Sequence, residues 1–454
     1  MKQGEYLLST EHVGKAFWKL AIPALLTTLI SQIYNLTDTY FIGLLNDTSM
    51  LSAVSIAMPF MWLVSALCGM IGAGAPQVIS LRDGAGARAA SEKCRSFAVF
   101  GTLLISLVIS PVAYTLIMPT LRLMNAEGAV LEYAAEYLHI IIATGAISAV
   151  SNAMQGVLRA GGRTRHASIA SMTGIIVNII LDPIFILGLD IGMAGAAWAT
   201  VLGSVASLIV SAVYVHDELS LRHILPGAAD VGLIFKISLA STISSVITAF
   251  TVGASLTAAA SFGGNTMASI SVCSKIYSTA VSIVSALAFS IQPFIGYNYA
   301  SGDHKRLMRG VFTSLGVGQA VCIVGAAAFA FCGRLFMGCF TEDAALIEEG
   351  AKMLRLLAIG LPVSALQMNA MSYLNGTGKA MRTLAVSLAR QLVVFVPVML
   401  LMQYFLGSTG LMLAYPVTDV IATVPAVALC VGEIKRMFSE NRGKAEIAAA
   451  EQLA

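Results

Sequence analysis

The stretch of sequence that decides the fold is residues 237–274, ISLASTISSVITAFTVGASLTAAASFGGNTMASISVCS, which contains no Asp, Glu, Lys or Arg. A helix needs about 20 apolar residues to cross the hydrocarbon core of a bilayer. The turn signal at Gly263, Gly264 and Asn265 divides the stretch into two apolar segments. Because unpaired backbone groups are costly in lipid, both segments are predicted to be membrane-spanning helices.

The composition of the whole chain agrees with this prediction. Of its 454 residues, 57% are hydrophobic and only 11% are charged, and the mean hydropathy is +0.83. Soluble globular domains have about 25% charged residues, so an ordinary soluble enzyme is excluded. The sequence has no phosphate-binding GxxxxGK[ST] loop, no HExxH and no GxSxG. We therefore expect no enzyme activity and no cofactor, with energy supplied by an ion gradient.

Charge clusters, turn residues and hydropathy predict twelve spans. They lie near residues 17–43, 51–81, 95–118, 131–157, 166–188, 193–215, 232–261, 266–298, 310–333, 350–375, 382–406 and 410–432. With the N-terminus inside, 21 of the 27 Lys and Arg residues fall in inner loops or termini. This asymmetry follows the positive-inside rule and predicts a multi-pass protein of the bacterial inner membrane with both termini cytoplasmic.

The two halves of the chain resemble each other at an offset close to 216 residues. LRAGGR at 158–163 lies over LNGTGK at 374–379, and the basic turn SLRDGAG lies over GYNYASGD at 296–303. Six spans per half place both copies in the membrane in the same sense, which predicts a parallel repeat. The expected domains are an N-terminal six-helix lobe (1–218), a cytoplasmic linker (219–231), a C-terminal six-helix lobe (232–437) and a cytoplasmic tail (438–454).

Charges at membrane depth mark the candidate site, because they persist mainly where they are used or paired. Asp38 lies in the first span, three residues after Asn35, and Asp182 lies in the fifth span, four residues after Asn178. With Thr200 of the sixth span they offer oxygen ligands for Na⁺, or a shared proton. Asp38 could instead be a capping acid, and Asp182 could belong to an Asx-Pro turn. Their counterparts in the second half are not ionisable, which favours a site.

The second half contains different buried charges, Lys275, Arg390 and Asp419. We expect a charge network in which Asp419 pairs with Arg390 or Lys275. Either it holds the C-terminal bundle together or it contacts substrate. Methionine-rich apolar walls adapt to ligands of varied shape. The candidate residues of a substrate cavity are Gln32, Tyr34, Asn35, Met58, Asn152, Met154, Gln292 and Met368.

Several motifs resemble the multidrug and toxic compound extrusion (MATE) family, in particular its bacterial MepA-like and DinF-like members. They are Pro23 through Asn35 and Asp38, the second-span start at 53–59, LRAGGRTR, the segment from Asn178 to Pro183, and GMAGAAWAT at 192–200. The resemblance covers about residues 12–437.

The resemblance implies an all-α fold of twelve helices in two six-helix bundles related by pseudo-twofold symmetry. It implies a cation site at Asp38, Asn178, Asp182 and Thr200, and bending of the first span at Pro23. Some members have a second site built from acids of the seventh and tenth spans. Here the seventh span has no acid, and Gln367 and Asn369 occupy the tenth, so coupling through the N-terminal lobe is expected.

The expected function is export of amphipathic or cationic organic compounds by antiport with Na⁺ or H⁺ through alternating access. The expected partners are these compounds, a monovalent cation and the lipid bilayer, without nucleic acid, and the chain is expected to be a monomer. A flippase of lipid-linked or polysaccharide intermediates is the alternative within the same superfamily, but the second half is poor in the cationic residues that a flippase cavity needs. A channel or receptor fits duplicated halves and buried carboxylates less well.

Overall fold

The structure is a computed structural model of the chain. It describes the backbone of residues 3–44, 48–189, 191–219, 224–260, 262, 264–341 and 343–453. Side chains are described for residues 4–34, 37, 49–50, 52–186, 188–189, 191–219, 224–255, 257–259, 262, 269–341 and 343–439. Throughout these residues the regular secondary structure is helical, as expected for a chain that satisfies its backbone groups inside a membrane.

Seventeen α-helices are described, with short π-helical turns at Ile184–Gly188 and Ala389–Phe395 and a 3₁₀ turn at His216–Glu218. The helices of the first half are α1 (Gln3–Ser9), α2 (Val13–Leu44), α3 (Thr48–Cys68), α4 (Met70–Gly84), α5 (Arg88–Leu123), α6 (Gly128–Ala143), α7 (Gly145–Ala160), α8 (Thr164–Pro183) and α9 (Gly192–Val215). Those that follow are α10 (Ala228–Ala260), α11 (Gly264–Ser290), α12 (Gln292–Ala300), α13 (His304–Gly338), α14 (Ala344–Ala358), α15 (Leu361–Gly376), α16 (Ala380–Leu388) and α17 (Val396–Leu453).

These helices form the twelve predicted spans. Within the described residues, eight helices are long and apolar enough to cross a membrane, and three bent pairs bring the number to eleven. The pairs α3 with α4, α6 with α7, and α14 with α15 are bent by 44°, 49° and 46°. The last apolar helix, Ala380–Ser439, is interrupted at Gly407, whose φ of 60° and ψ of −137° break the helix. Counting its two sides separately gives twelve.

Three of the predicted spans, 51–81, 131–157 and 350–375, are therefore bent helix pairs rather than single straight helices. The third bend has a visible packing reason at Gly360. A Cβ atom on this residue would lie 3.0 Å from the Cα atom of Pro416. Only a glycine allows the chain to approach α17 this closely.

Two compact units divide the chain, residues 1–250 and 251–454. The core of the first unit includes Phe60, Ile117 and Leu138. The core of the second includes Phe329 and Leu354. Each unit thus has its own buried apolar interior.

The boundary between the units lies inside α10, not in the predicted linker 219–231. The reason is that the first part of α10 packs on α4 and α5. A Cβ atom on Gly74 would lie 2.7 Å from the carbonyl oxygen of Ile234, and the rings of Phe97 and Phe235 have centroids 6.5 Å apart. The division of the sequence into two six-helix repeats is a separate matter and stays a prediction.

Left-handed glycines support the predicted repeat. Three pairs have nearly equal positive φ angles and are separated by 216, 216 and 215 positions: Gly86 (71°) and Gly302 (79°), Gly162 (74°) and Gly378 (76°), and Gly192 (60°) and Gly407 (60°). Because only glycine adopts these angles readily, matching pairs at one offset indicate matching turns. The offset between the halves is therefore 216 residues before the last two spans and 215 for the last span.

Candidate functional site

The candidate cation site of the first unit is built from α8 and α9. Asn178 and Asp182 lie one turn apart on α8, with exposed fractions of 4% and 0%. Thr200 lies on α9, and its hydroxyl donates to the carbonyl oxygen of Ala196 at 3.0 Å. The structure thus brings three of the four predicted ligands into one buried group.

A close approach of the two helices positions these side chains. A Cβ atom on Gly174 would lie 2.7 Å from the carbonyl oxygen of Gly203, and one on Gly203 would lie 2.6 Å from the carbonyl oxygen of Gly174. Small residues at such contacts let helix backbones touch in a membrane. The glycine pair lies one turn inward of Asn178 and fixes the distance between α8 and α9 there.

The amide of Asn178 joins the other two residues. In one orientation its nitrogen lies 3.3 Å from the Thr200 hydroxyl oxygen. Rotated by half a turn, the nitrogen donates to Asp182 Oδ2 at 3.2 Å and the oxygen accepts from the Thr200 backbone N–H at 2.9 Å. The second orientation gives the carboxylate a donor and the amide oxygen a donor of its own, so we assign it. Asn178 then links α8, α9 and the acid.

Pro183 shapes the chain beside the acid. It ends α8, and the π-helical turn Ile184–Gly188 follows directly. Proline has no N–H to donate to the preceding turn, and π-helical turns occur often at functional sites. The helix is thus irregular next to Asp182, as the sequence predicts.

The first-span residues are placed only in part. Asp38 lies on α2, which packs against α8, but the side chains of Asp38 and Asn35 lie outside the described residues. Pro23 lies inside α2, and its carbonyl oxygen accepts a hydrogen bond from the Thr27 hydroxyl at 2.9 Å. Asp38 therefore belongs to the neighbouring helix, and its position in the site stays a prediction.

The donor set suits a hard monovalent cation or a proton. It offers a carboxylate, an amide and a hydroxyl, the oxygen ligands that Na⁺ prefers. Within the described residues, no three His, Cys, Asp or Glu side chains form a cluster that could hold a metal ion. The group thus lacks the nitrogen and sulfur ligands typical of a zinc site.

The predicted cavity residues are divided between the two units. In the first unit Gln32, Tyr34, Met58 and Met154 are half-buried and Asn152 is exposed. In the second unit Gln292 and Met368 are half-buried, and the Met368 sulfur accepts a hydrogen bond from Ser285 at 3.4 Å. Their contribution to a substrate cavity stays a prediction.

The charged residues of the second unit separate into a pair and an isolated lysine position. Arg390 Nη2 and Nε donate to Asp419 Oδ1 at 2.7 and 3.1 Å. The other carboxylate oxygen accepts from Ser364 at 2.6 Å and from Tyr277 at 3.1 Å. Lys275 is exposed on α11. Of the two partners that the sequence allows for Asp419, the structure pairs it with Arg390.

The sequence reasoning missed a group of ion pairs at the predicted inner ends of the first unit. Arg95 binds Asp83 at 2.6 Å and also binds Glu218. Arg163 binds Glu218 at 2.8 Å. These basic residues entered the sequence argument only through their sign, and no spacing rule indicated their acidic partners, which come from distant helices.

Comparisons with known proteins agree with this architecture. The sequence model of the MatE family matches residues 23–184 and 234–401. The chain is 26% identical over 431 residues to the multidrug export protein MepA of Staphylococcus aureus strain MRSA252, covering 93% of this chain and 95% of that protein. It is 24% identical over 432 residues to MepA of Staphylococcus saprophyticus, with the same coverage.

Solved structures show the same fold. An outward-facing multidrug resistance MATE family transporter of the MOP superfamily has a TM-score of 0.88 at 23% identity, covering 96% of this chain and 99% of that chain. A MATE structure in the straight conformation has a TM-score of 0.89 at 23% identity, covering 97% and 100%. With the family model matching most of both halves, this multi-pass membrane protein belongs to the MatE family of transporters and is not an enzyme.

Proposed function

We propose that this chain is a multidrug exporter of the bacterial inner membrane, driven by antiport with Na⁺ or H⁺. The similarity to MepA extends over nearly the whole chain. The observation that carries the coupling is the fully buried carboxylate of Asp182, grouped with Asn178 and Thr200. A buried acid at membrane depth is costly to keep unless it binds or exchanges a positive charge.

The coupling step follows from how the group is built. Binding a cation or proton at Asp182 neutralises its charge and changes what α8 and α9 can pack against. The neighbouring helix α2 brings Asp38 and the helix-interior Pro23, where a missing hydrogen bond makes bending easy. Cation entry from outside then bends α2, shrinks the drug cavity of the first lobe and releases substrate outward.

Antiport requires that cation and substrate compete. A cation shifts a conformational equilibrium only if it binds one state better than the other. The effect is reciprocal, so substrate must weaken cation binding by the same factor by which the cation weakens substrate binding. Na⁺ would use the oxygen ligands directly, whereas a proton would be held by the carboxylate.

Transport in everted vesicles tests the proposal. We expect Asp182→Asn and Asp38→Asn to abolish efflux of ethidium driven by a cation gradient, because both changes remove a negative charge. The control is Asp217→Asn, which changes an exposed acid on the His216–Glu218 turn. Near-normal gradient-driven efflux in both site variants would refute the assignment.

A further inference from the structure

The charge pair of the second unit, Arg390 with Asp419, has no counterpart in the first unit. Counting back 216 residues from Arg390 reaches Gly174, and counting back 215 from Asp419 reaches Ser204. Ser364 corresponds in the same way to Ser148, which donates a hydrogen bond to Ser204 at 2.8 Å. The contact between Ser148 and Ser204 is thus repeated as the contact between Ser364 and Asp419.

The repeat separates what the fold needs from what has been added. In the first unit a glycine and a serine suffice at these positions. The second unit has a guanidinium and a carboxylate instead, although charges are expensive at membrane depth. A packing requirement common to both halves does not explain them.

The two partners differ in how they are surrounded. Asp419 has a side-chain exposed fraction of 1% and uses both oxygens, accepting from Arg390, Tyr277 and Ser364. The Arg390 side chain has an exposed fraction of 32%. Two of the five N–H groups of its guanidinium bind Asp419 Oδ1. The carboxylate is thus occupied, while part of the guanidinium is open to its surroundings.

Neighbouring residues indicate which way Arg390 faces. Thr383, Val386 and Ser387 precede it by seven, four and three positions, which places them on the same helix face, and all three are buried. The side of this helix that is strongly exposed carries Leu392 and Val393 instead. Arg390 therefore faces the interior side of the second unit and not the lipid. There the open part of a guanidinium needs water or a polar ligand.

The helix itself is irregular at this point. Arg390 lies in the π-helical turn Ala389–Phe395. Such turns insert an extra residue and change the direction of the side chains, and they occur often at functional sites. Asp419 holds the guanidinium by Nε and Nη2, so its remaining donors are fixed in direction.

We propose that Arg390, oriented by Asp419, binds the anionic group of amphipathic substrates, specifically a carboxylate. This inference rests on the proposed export function and names a substrate class for it. A planar guanidinium is well matched to a carboxylate. Compounds with a carboxylate next to an aromatic cation are thus recognised in the second unit, while purely cationic compounds do not use this position.

A matched pair of dyes provides the test, a rhodamine with a free carboxylate and its methyl ester. Binding to purified protein is measured by fluorescence anisotropy, and efflux is measured in proteoliposomes. The variant is Arg390→Gln with Asp419→Asn, which removes both charges and leaves no unpaired one. We expect affinity for the free acid to fall about tenfold or more, as for loss of a charge-assisted hydrogen bond, with affinity for the ester changed less than about twofold.

Two further variants keep the result interpretable. Arg382→Gln with Glu433→Gln removes the ion pair between Arg382 and Glu433 in the same unit and should leave the ratio of the two affinities unchanged. Arg390→Lys keeps the charge but loses the planar fork, and we expect it to weaken the acid selectively. It decides the matter if the double variant does not fold.

Each outcome is decisive. Equal losses for both dyes, or no loss for the acid, would assign the pair a structural role and overturn the inference. A wild-type protein that exports the ester but does not bind the acid would overturn the inference and leave the export function standing, whereas export of neither dye would overturn both. Competition with the acid by phosphatidylglycerol would assign the position to a lipid phosphate and likewise overturn it.

Discussion

The glycine contact between α8 and α9 gives a prediction whose size follows from the structure. In Gly174→Ala the new Cβ atom would lie 2.7 Å from the carbonyl oxygen of Gly203, closer than the 3.0 Å that real Cβ atoms respect, and 2.8 Å from the Cβ atom of Ser207. One of these neighbours is backbone and cannot turn away. Overpacking of this kind costs about 3 kcal/mol at the upper end of its range, and the better helix propensity of alanine returns about 1 kcal/mol.

The control is Gly316→Ala in α13, where a Cβ atom would meet nothing within 4 Å. It should gain about 1 kcal/mol from helix propensity. Unfolding in mixed SDS micelles should therefore separate the two variants by about 3 kcal/mol. Because Gly203 also touches Asn178, with its Cβ position 3.0 Å from the Asn178 Cβ atom, Gly174→Ala should also weaken cation-driven efflux. If Gly174→Ala is as stable as Gly316→Ala, the reasoning from close helix contact is wrong.

Two further predictions use the charged contacts. Ser364→Ala removes a hydrogen bond to the ionised Asp419 and should cost about 1.5–3 kcal/mol, whereas Ser148→Ala in the first unit removes a bond between two hydroxyls and should cost about 1 kcal/mol; equal costs in micelle unfolding would contradict the charge assignment. Arg82 Nε donates to the buried Asp230 at 2.8 Å, so a double-mutant cycle with Arg82→Gln and Asp230→Asn should give a coupling of about 1–2 kcal/mol; a coupling near zero would mean that this contact does not hold α10.

Hydropathy was sufficient to predict the number of spans. The charge-free stretch 237–274 predicts two helices, and α10 and α11 occupy it. The bends inside three spans were not predictable. A bend at Gly360 depends on the approach of Pro416 from another helix, and no local sequence pattern encodes that contact.

The candidate sites were predictable to different degrees. Spacing alone placed Asn178 and Asp182 on one face of one helix. In the second unit the sequence could not choose between Arg390 and Lys275 as the partner of Asp419, because the choice depends on helix orientation. Tyr277, two positions beyond Lys275, points to Asp419 instead, as successive positions of a helix face different ways.

The most direct test of the cation site is the dependence of substrate affinity on cation activity. Ethidium binding to the purified protein would be measured over a range of Na⁺ concentration and, separately, of pH, for the wild type and Asp182→Asn. Competition at the buried carboxylate predicts that raising Na⁺ or proton activity weakens wild-type binding by about tenfold, as for a coupling free energy of about 1.4 kcal/mol, and leaves the variant unchanged. The same cation dependence in Asp182→Asn would contradict the proposal that this carboxylate couples cation entry to export.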